Sequence, residues 1–306
     1  MRIAILGATS QIARDLTASL AATGQHELSL FARRPDAVTE WAKQLGLHDM
    51  ARIGSFEHFT THEHYDAIIN FVGVGNPAAA QAMGASILDV TLQYDSLAID
   101  YLKAHPGTRY IFLSSGAAYG SSFAQSVNDD TPATFAINHL QAQDWYGAAK
   151  FHAECRHRAL PELAIVDIRV FSYFSHTQDL NARFFISDIL RAIQSGQTLQ
   201  TSAENIVRDY IGPQEMLQLV SCILNSAPTN AAVDCFTLAP VDKLTLLATM
   251  QERFGLQYAV SAASVTVNAT GSKLNYYSTS RHANQLFSYQ PTRDSLQVLQ
   301  EHIAKI

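Results

Sequence analysis

Three side chains define the chemistry this chain could carry out. Ser115 closes the apolar run Tyr110-Ile-Phe-Leu-Ser-Ser115, and Tyr146 and Lys150 bracket Tyr146-Gly-Ala-Ala-Lys150. A tyrosine and a lysine four apart on a helix share one face, so both can point into a single cleft. A free phenol titrates near 10, too high for proton transfer at neutral pH. An ammonium about 5 Å away, at an effective dielectric of about 20, favours the phenolate by roughly 3 kcal/mol, or about 2 pKa units. Lys150 is therefore expected to draw Tyr146 toward working pH, with the Ser115 hydroxyl completing a proton-transfer set. An enzyme is the default reading.

Such a set needs elements that position it. Short apolar runs alternate with amphipathic segments: Ile3 to Leu6, a helix from Ser10 to Ala22, Leu28 to Ala32, a helix around Asp36 to Leu45, Ala51 to Ile53, and Ala67 to Val72. A helix from near Pro77 to about Ala104 leads to Arg109–Leu113, and one around Asn138 to Leu160 leads to Ile165–Val170. This alternation predicts a parallel sheet with right-handed crossovers, here of six strands, the number found in a dinucleotide-binding sheet. Beyond Val170 the alternation loosens. The expected architecture is α/β: a Rossmann-type, doubly wound parallel sheet with a smaller C-terminal α/β substrate lobe. Residues 1–170, joined by parts of 211–238, are assigned to cofactor binding, and 171–306 to an interwoven substrate lobe.

At 306 residues with 47% hydrophobic content the chain can bury a large core, and a net charge of -6 without long single-sign blocks gives no case for nucleic acid or an anionic membrane. Cys155, Cys222 and Cys235 are too dispersed for a disulfide framework or a metal motif, so no metal is expected and a reducing cytoplasm is the simplest compartment. No leader or membrane span is read from the N-terminal segment. His58, His62 and His64 read as solvated loop residues. A catalytic Cys155 between His152 and His157 is disfavoured, because Tyr146 and Lys150 already take the cofactor side of that helix.

Gly7-Ala-Thr-Ser-Gln-Ile-Ala13 follows the first strand and opens the first helix, where free N–H groups and the helix dipole favour a diphosphate. Gly7, Thr9, Ser10, Gln11 and Ile12 are the candidate contacts, with Ser10 and Ala13 at positions where small side chains allow close approach. After the second strand, Ala32 stands where a carboxylate would hold a ribose 2'-hydroxyl, and Arg33 and Arg34 follow it. Guanidinium groups read phosphate, so NADP is favoured over NAD.

The Gly-x-x-Ser-x-x-Ala turn, Arg33-Arg34, Asn70-Phe-Val-Gly73, Ser114-Ser-Gly-Ala-Ala-Tyr-Gly120 and Tyr146-x-x-x-Lys150 together resemble the short-chain dehydrogenase/reductase superfamily. Ile168-Arg-Val-Phe-Ser172 and Val207-Arg-Asp-Tyr-Ile211 are similar to segments of its extended branch, the NAD-dependent epimerase/dehydratase family that modifies nucleotide sugars. The resemblance implies Tyr146 as acid-base group, Ser115 as the hydroxyl that holds the reacting oxygen, and Lys150 as tuner of Tyr146 and ligand of the nicotinamide ribose. It places Phe71, Val72 and Gly73 at the cofactor, and Ser115, Tyr119, Ser172 and Arg208 at the substrate, Arg208 on the nucleotide diphosphate. It also implies a homodimer through the helix that bears Tyr146.

Departures narrow the expectation. Gly116-Ala117 replaces the Asp-Glu that eliminates water in 4,6-dehydratases, so dehydration is disfavoured. Asp89-Val-Thr-Leu-Gln93, Gly212-Pro-Gln-Glu-Met216 and Ser278-Thr-Ser-Arg281 also depart from the family pattern, and no upstream nucleotide-binding arginine is evident, although Lys273 lies nearby. The leading expectation is an NADP-dependent reductase of a 4-keto-6-deoxy nucleotide sugar. The alternatives are a nucleotide-sugar 4-epimerase using bound NAD(P), and a non-catalytic NADP-binding sensor.

Overall fold

The computed structural model describes residues 1–47, 49–74, 77–182, 184–261 and 273–306. The first half runs β1 (Arg2–Leu6), α1 (Gln11–Ala22), β2 (Glu27–Phe31), α2 (Pro35–Gln44), β3 (Ala51–Gly54), β4 (Ala67–Asn70), α3 (Pro77–Met83), α4 (Ser86–Ala104), β5 (Arg109–Ser115), α5 (Trp145–Arg158) and β6 (Ile165–Val170). Period-two patterning explains how the central strands sit between two helical layers. In β1, Ile3 and Ile5 join Leu16, Leu20 and Val220 in one core, whereas Ala4 and Leu6 join Leu102, Tyr110 and Phe112 in the other.

Beyond β6 come β7 (Ser172–Tyr173), α6 (Phe185–Ser195), β8 (Leu199–Ser202), β9 (Val207–Arg208), β10 (Tyr210–Ile211) and α7 (Pro213–Asn225). They are followed by β11 (Ala231–Asp234), β12 (Val241–Asp242), α8 (Lys243–Phe254), β13 (Tyr258–Ser261), β14 (Asn275–Tyr276), α9 (His282–Phe287) and α10 (Ser295–Ile303). The main sheet has seven strands rather than the six expected, in the order β11-β6-β5-β4-β1-β2-β3, all parallel. The extra strand, β11, returns after a long excursion and pairs with β6. It is a Rossmann-type sheet whose order reverses at β1, so the C-terminal ends of β1 and β4 frame the ligand crevice.

Two helices differ from expectation for local reasons. Gly84 at φ 55 breaks the anticipated Pro77–Ala104 helix into α3 and α4. α5 starts at Trp145 because the preceding turn is closed by Gln141 and Asp144, the Gln141 N–H donating to the Asp144 carboxylate at 2.8 Å. The second lobe has its own core, in which Ile189 and Leu190 of α6, Leu247 and Met250 of α8 and Leu299 of α10 meet. Three small sheets brace it: β7 with β10, β9 between β12 and β14, and β8 with β13.

Beneath α5 lies a fully buried His157, clasped by Asp167 at 2.6 Å and Asp95 at 2.7 Å. Arg158 donates to Asp167 at 2.9 Å, Arg156 donates to Asp95, and the Tyr110 hydroxyl donates to Asp95 at 3.0 Å. Burial alone would pull the imidazole down, but Asp167 and Asp95 outweigh it and hold His157 at about 9. Since its folded value lies above the ordinary 6.5, the stability it supplies is complete below pH 6.5 and is lost as pH rises through 9. Removing one partner from such a cluster leaves uncompensated charge, so His157→Leu should cost about 3–5 kcal/mol in urea unfolding at pH 7. The same comparison at pH 10 should show a smaller gap, and an equal gap at both pH values would contradict the account.

Candidate active site

β1 runs into Gly7 at φ 79, whose N–H bonds the Phe31 carbonyl at 2.9 Å. A Cβ at Gly7 would stand 2.8 Å from the Val72 nitrogen and 2.9 Å from the Phe71 carbonyl carbon, so only glycine lets the β1–α1 turn touch the end of β4. Ser10 caps α1, its hydroxyl accepting from the Ala13 N–H at 3.2 Å, while the N–H groups of Gln11 and Ile12 have no partner among the described residues. Thr9 is exposed beside them. A tight glycine turn and orphan first-turn N–H groups at the switch point fit the diphosphate of a dinucleotide. Asn70 shapes the opposite rim: its side-chain oxygen accepts from the Val72 N–H at 2.8 Å and its amide donates to the Tyr110 hydroxyl at 2.9 Å. Arg33 and Arg34, at the end of β2, are exposed and have no ion-pair partner among the described residues.

Lys150 is 4% exposed, and its ammonium donates to the Leu113 carbonyl at 2.7 Å above the Phe112 ring. A Cβ on Gly73 would lie 3.4 Å from the Lys150 Nζ, so the end of β4 closes directly over the lysine. Burial pulls Lys150 down to about 8, with Asp95, Asp167 and Glu154 opposing the fall. Tyr146 is half-buried, and the Lys150 Nζ stands 5.9 Å from its ring centre. The expected lowering of its phenol by Lys150 is not found: burial pushes Tyr146 up, and the group that opposes this is Ser115. Helical spacing predicts a shared face correctly, but the Lys150 nitrogen is spent on the Leu113 carbonyl and the desolvation of the phenol outweighs its reach.

Ser115 ends β5 and accepts from the Ala117 N–H at 3.2 Å. Its second neighbour is a residue no motif marked, Tyr276, whose hydroxyl lies 3.2 Å from the Ser115 Oγ. The turn that follows Ser115 is tightly packed. A Cβ on Gly116 would come within 2.4 Å of the Phe171 ring, and one on Gly147 within 2.5 Å of the Ala117 carbonyl oxygen. No side chain, and so no carboxylate, fits at position 116 without moving Phe171.

β9 and β14 place Arg208 opposite Tyr276. Arg208 is buried and, among the described residues, hydrogen-bonds only backbone carbonyls, of Val207 at 2.8 Å and Leu274 at 3.3 Å. No carboxylate of the described residues pairs with it; Asp209, its neighbour in sequence, instead accepts from Thr237 at 2.6 Å and Ser295 at 2.8 Å. Lys273 stands 4.4 Å over the Tyr276 ring, also without a carboxylate within ion-pair distance among the described residues, and burial, then Arg208, pull it down to about 8. Two cations on one wall, neither with a carboxylate partner among the described residues, could hold an anion.

Other expected residues are placed differently. The Tyr119 hydroxyl belongs to a buried cluster, donating to Asp234 at 3.0 Å and accepting from Arg169 at 2.7 Å. Ser172 is half-buried on β7 with no side-chain hydrogen bond to a described residue. His157 turns inward to Asp95 and Asp167, so Cys155, exposed and with its thiol pushed up by burial and Glu154, has no base in that residue. Among the described residues no group of three or more His, Cys, Asp or Glu is placed to hold a metal ion, and no helix is long and apolar enough to cross a membrane.

Known proteins share this fold. Residues 3–234 match the family described as the NAD dependent epimerase/dehydratase family. UDP-glucose 4-epimerase 4 of Oryza sativa subsp. japonica is 27% identical over 143 residues, 43% of this chain and 35% of that protein. The match thus spans about a third of that relative's length. Among solved structures, dTDP-glucose 4,6-dehydratase of Bacillus anthracis str. Ames, in complex with NAD, superimposes with a TM-score of 0.76 at 14% identity, covering 99% of this chain and 96% of that one. UDP-N-acetylglucosamine 4-epimerase of Methanobrevibacter ruminantium M1, in complex with UDP-N-acetylmuramic acid, gives a TM-score of 0.81 at 15% identity, covering 99% and 97%. At these identities the structures establish the shared fold.

Proposed function

The chain belongs to the NAD-dependent epimerase/dehydratase family, and from that premise we propose that it is an oxidoreductase of a nucleotide-activated sugar, reducing a 4-keto-6-deoxy sugar with NADPH. The observation that carries this reading is the pairing of two sites. Ser115, Tyr146 and Lys150 gather at the C-terminal end of β5, and the buried Arg208 and half-buried Lys273, without carboxylate partners among the described residues, stand across Tyr276 from them. One side suits a carbonyl, the other a diphosphate.

The nicotinamide cofactor, when bound, supplies the hydride-transfer chemistry. Gly7, Thr9, Ser10, Gln11 and Ile12 would hold its diphosphate, Phe71, Val72 and Gly73 would line its path, and Arg33 and Arg34 would hold an adenosine 2'-phosphate. Those two arginines, exposed and without ion-pair partners, are the support for NADP; the solved neighbours named above include one crystallised with NAD. Tyr146 gives its proton to the sugar oxygen as negative charge develops there, and Ser115 donates a hydrogen bond to the same oxygen. Lys150, its pull-down by burial opposed by Asp95, Asp167 and Glu154, stays charged below about pH 8 and would hold the nicotinamide ribose. Arg208 and Lys273 neutralise the nucleotide diphosphate. The lack of room at Gly116 supports the exclusion of dehydration.

A 4-epimerase is the second reading, favoured by the UDP-glucose 4-epimerases among the matching relatives. The same three residues would then take the proton from a sugar hydroxyl and return it, with no net use of cofactor. We extend the proposal to a homodimer built on α4 and α5, whose outer face exposes Leu92 and Phe151 at 38% and 39%. The three cysteines are free, which suits a reducing cytoplasm.

Purified protein mixed with NADPH and dTDP- or UDP-4-keto-6-deoxyglucose should consume the reduced cofactor, and Tyr146→Phe should slow this by about 10²-fold or more. Interconversion of UDP-glucose and UDP-galactose without cofactor loss would replace the reductase by the epimerase, and inactivity in both assays would sink the two together. Light scattering should give twice the chain mass, and Phe151→Glu should halve it; a wild-type protein that is monomeric at micromolar concentration would refute the dimer.

A further inference from the structure

Tyr276 reaches the active site from the far lobe. β14 lies parallel to β9, and the Tyr276 ring is wedged edge-on against Phe123 at 4.7 Å and Phe171 at 5.2 Å, which fixes where its hydroxyl points. That hydroxyl stands 3.2 Å from the Ser115 Oγ. A serine hydroxyl offers one hydrogen and two lone pairs. The Ala117 N–H occupies one lone pair at 3.2 Å. Among the described residues the Tyr276 hydroxyl has no hydrogen-bond partner but the Ser115 Oγ, so its hydrogen is left for the serine. With both lone pairs filled, the Ser115 hydrogen is directed away from Ala117 and Tyr276 and is left for Tyr146, whose phenol Ser115 draws down against burial.

We propose that Tyr276 is a positioning residue that, by donating to the Ser115 Oγ, makes the serine a dedicated donor toward Tyr146 and the substrate oxygen. This rests on the reading of Ser115 and Tyr146 as the acid-base pair. Without the Tyr276 hydroxyl, the serine hydrogen is free to turn back, and Tyr146 loses the one neighbour found to favour its phenolate. Burial keeps the Tyr276 phenol itself protonated, so it can donate throughout the neutral range.

The test is a titration that needs no turnover. With tyrosine labelled by ¹³C at Cζ and NAD bound, the Tyr146 resonance is assigned by its loss in Tyr146→Phe. In Tyr276→Phe, which deletes one oxygen and keeps the ring, the Tyr146 midpoint should move up by about half a pH unit or more. Ser115→Ala should move it at least as far, and adding Tyr276→Phe to Ser115→Ala should move it no further. An unchanged midpoint in Tyr276→Phe, including one above the measurable range in both proteins, overturns the proposal. So does a Tyr276→Phe shift that persists in full without the Ser115 hydroxyl. In the sugar-nucleotide assays, Tyr276→Phe should lower kcat about tenfold with KM within about twofold; a loss confined to KM would make Tyr276 a wall of the sugar site and overturn the positioning role. Absence of turnover in the wild type would count against the functional reading alone and leave the titration to decide the role of Tyr276.

Discussion

The buried ammonium of Lys150 is the constraint around which the rest is arranged. A desolvated lysine loses its charge unless something restores the field that water supplied. Here one carbonyl, from Leu113, and the face of Phe112 supply the near contacts, while Asp95, Asp167 and Glu154 act from further off. Each of those carboxylates is itself fixed: Asp95 and Asp167 by His157 with Arg156 and Arg158, Glu154 by Arg169 at 3.0 Å and by Ser114. The ion pairs beneath α5 therefore do two jobs. They tie α4, α5, β5 and β6 into one layer, and they set the electrostatic floor of the cleft.

The cleft is completed by chain that is distant in sequence. Asp15 of α1 accepts from Tyr173 at 2.8 Å and from Ser175 at 2.6 Å, and Gln11 donates to Ser175 at 3.0 Å. The start of the second lobe is thus tethered to α1. From the other side, β14 pairs with β9, setting Tyr276 beside Arg208 and bringing the Tyr276 hydroxyl to Ser115. The proposed substrate, bound between these elements, would meet groups from both.

What could be read beforehand follows from which interactions are local. The strands β1, β2, β4, β5 and β6 announce themselves by apolar runs, and Gly7 and the Tyr146–Lys150 spacing by short-range geometry. β11 does not, because Ala231-Ala-Val-Asp234 is short and becomes a strand only by docking on β6 after a long excursion. Tyr276 is invisible for the same reason: its role comes from a two-residue strand pairing across the fold, and no spacing links it to Ser115. Tyr119 shows another limit of spacing, which places it near the serine but does not foretell that its hydroxyl bonds Arg169 and Asp234. The expected lowering of Tyr146 failed because a helical register reports direction and says nothing of desolvation.

The central claim is that Lys150 is a buried cation, held charged near neutrality by second-layer carboxylates. The direct measurement is its titration by NMR in protein with labelled lysine, followed at the Cε resonance. The account predicts a midpoint near 8 for Lys150, falling further in Asp95→Asn. A midpoint at the ordinary 10.5, unmoved by Asp95→Asn, would contradict it.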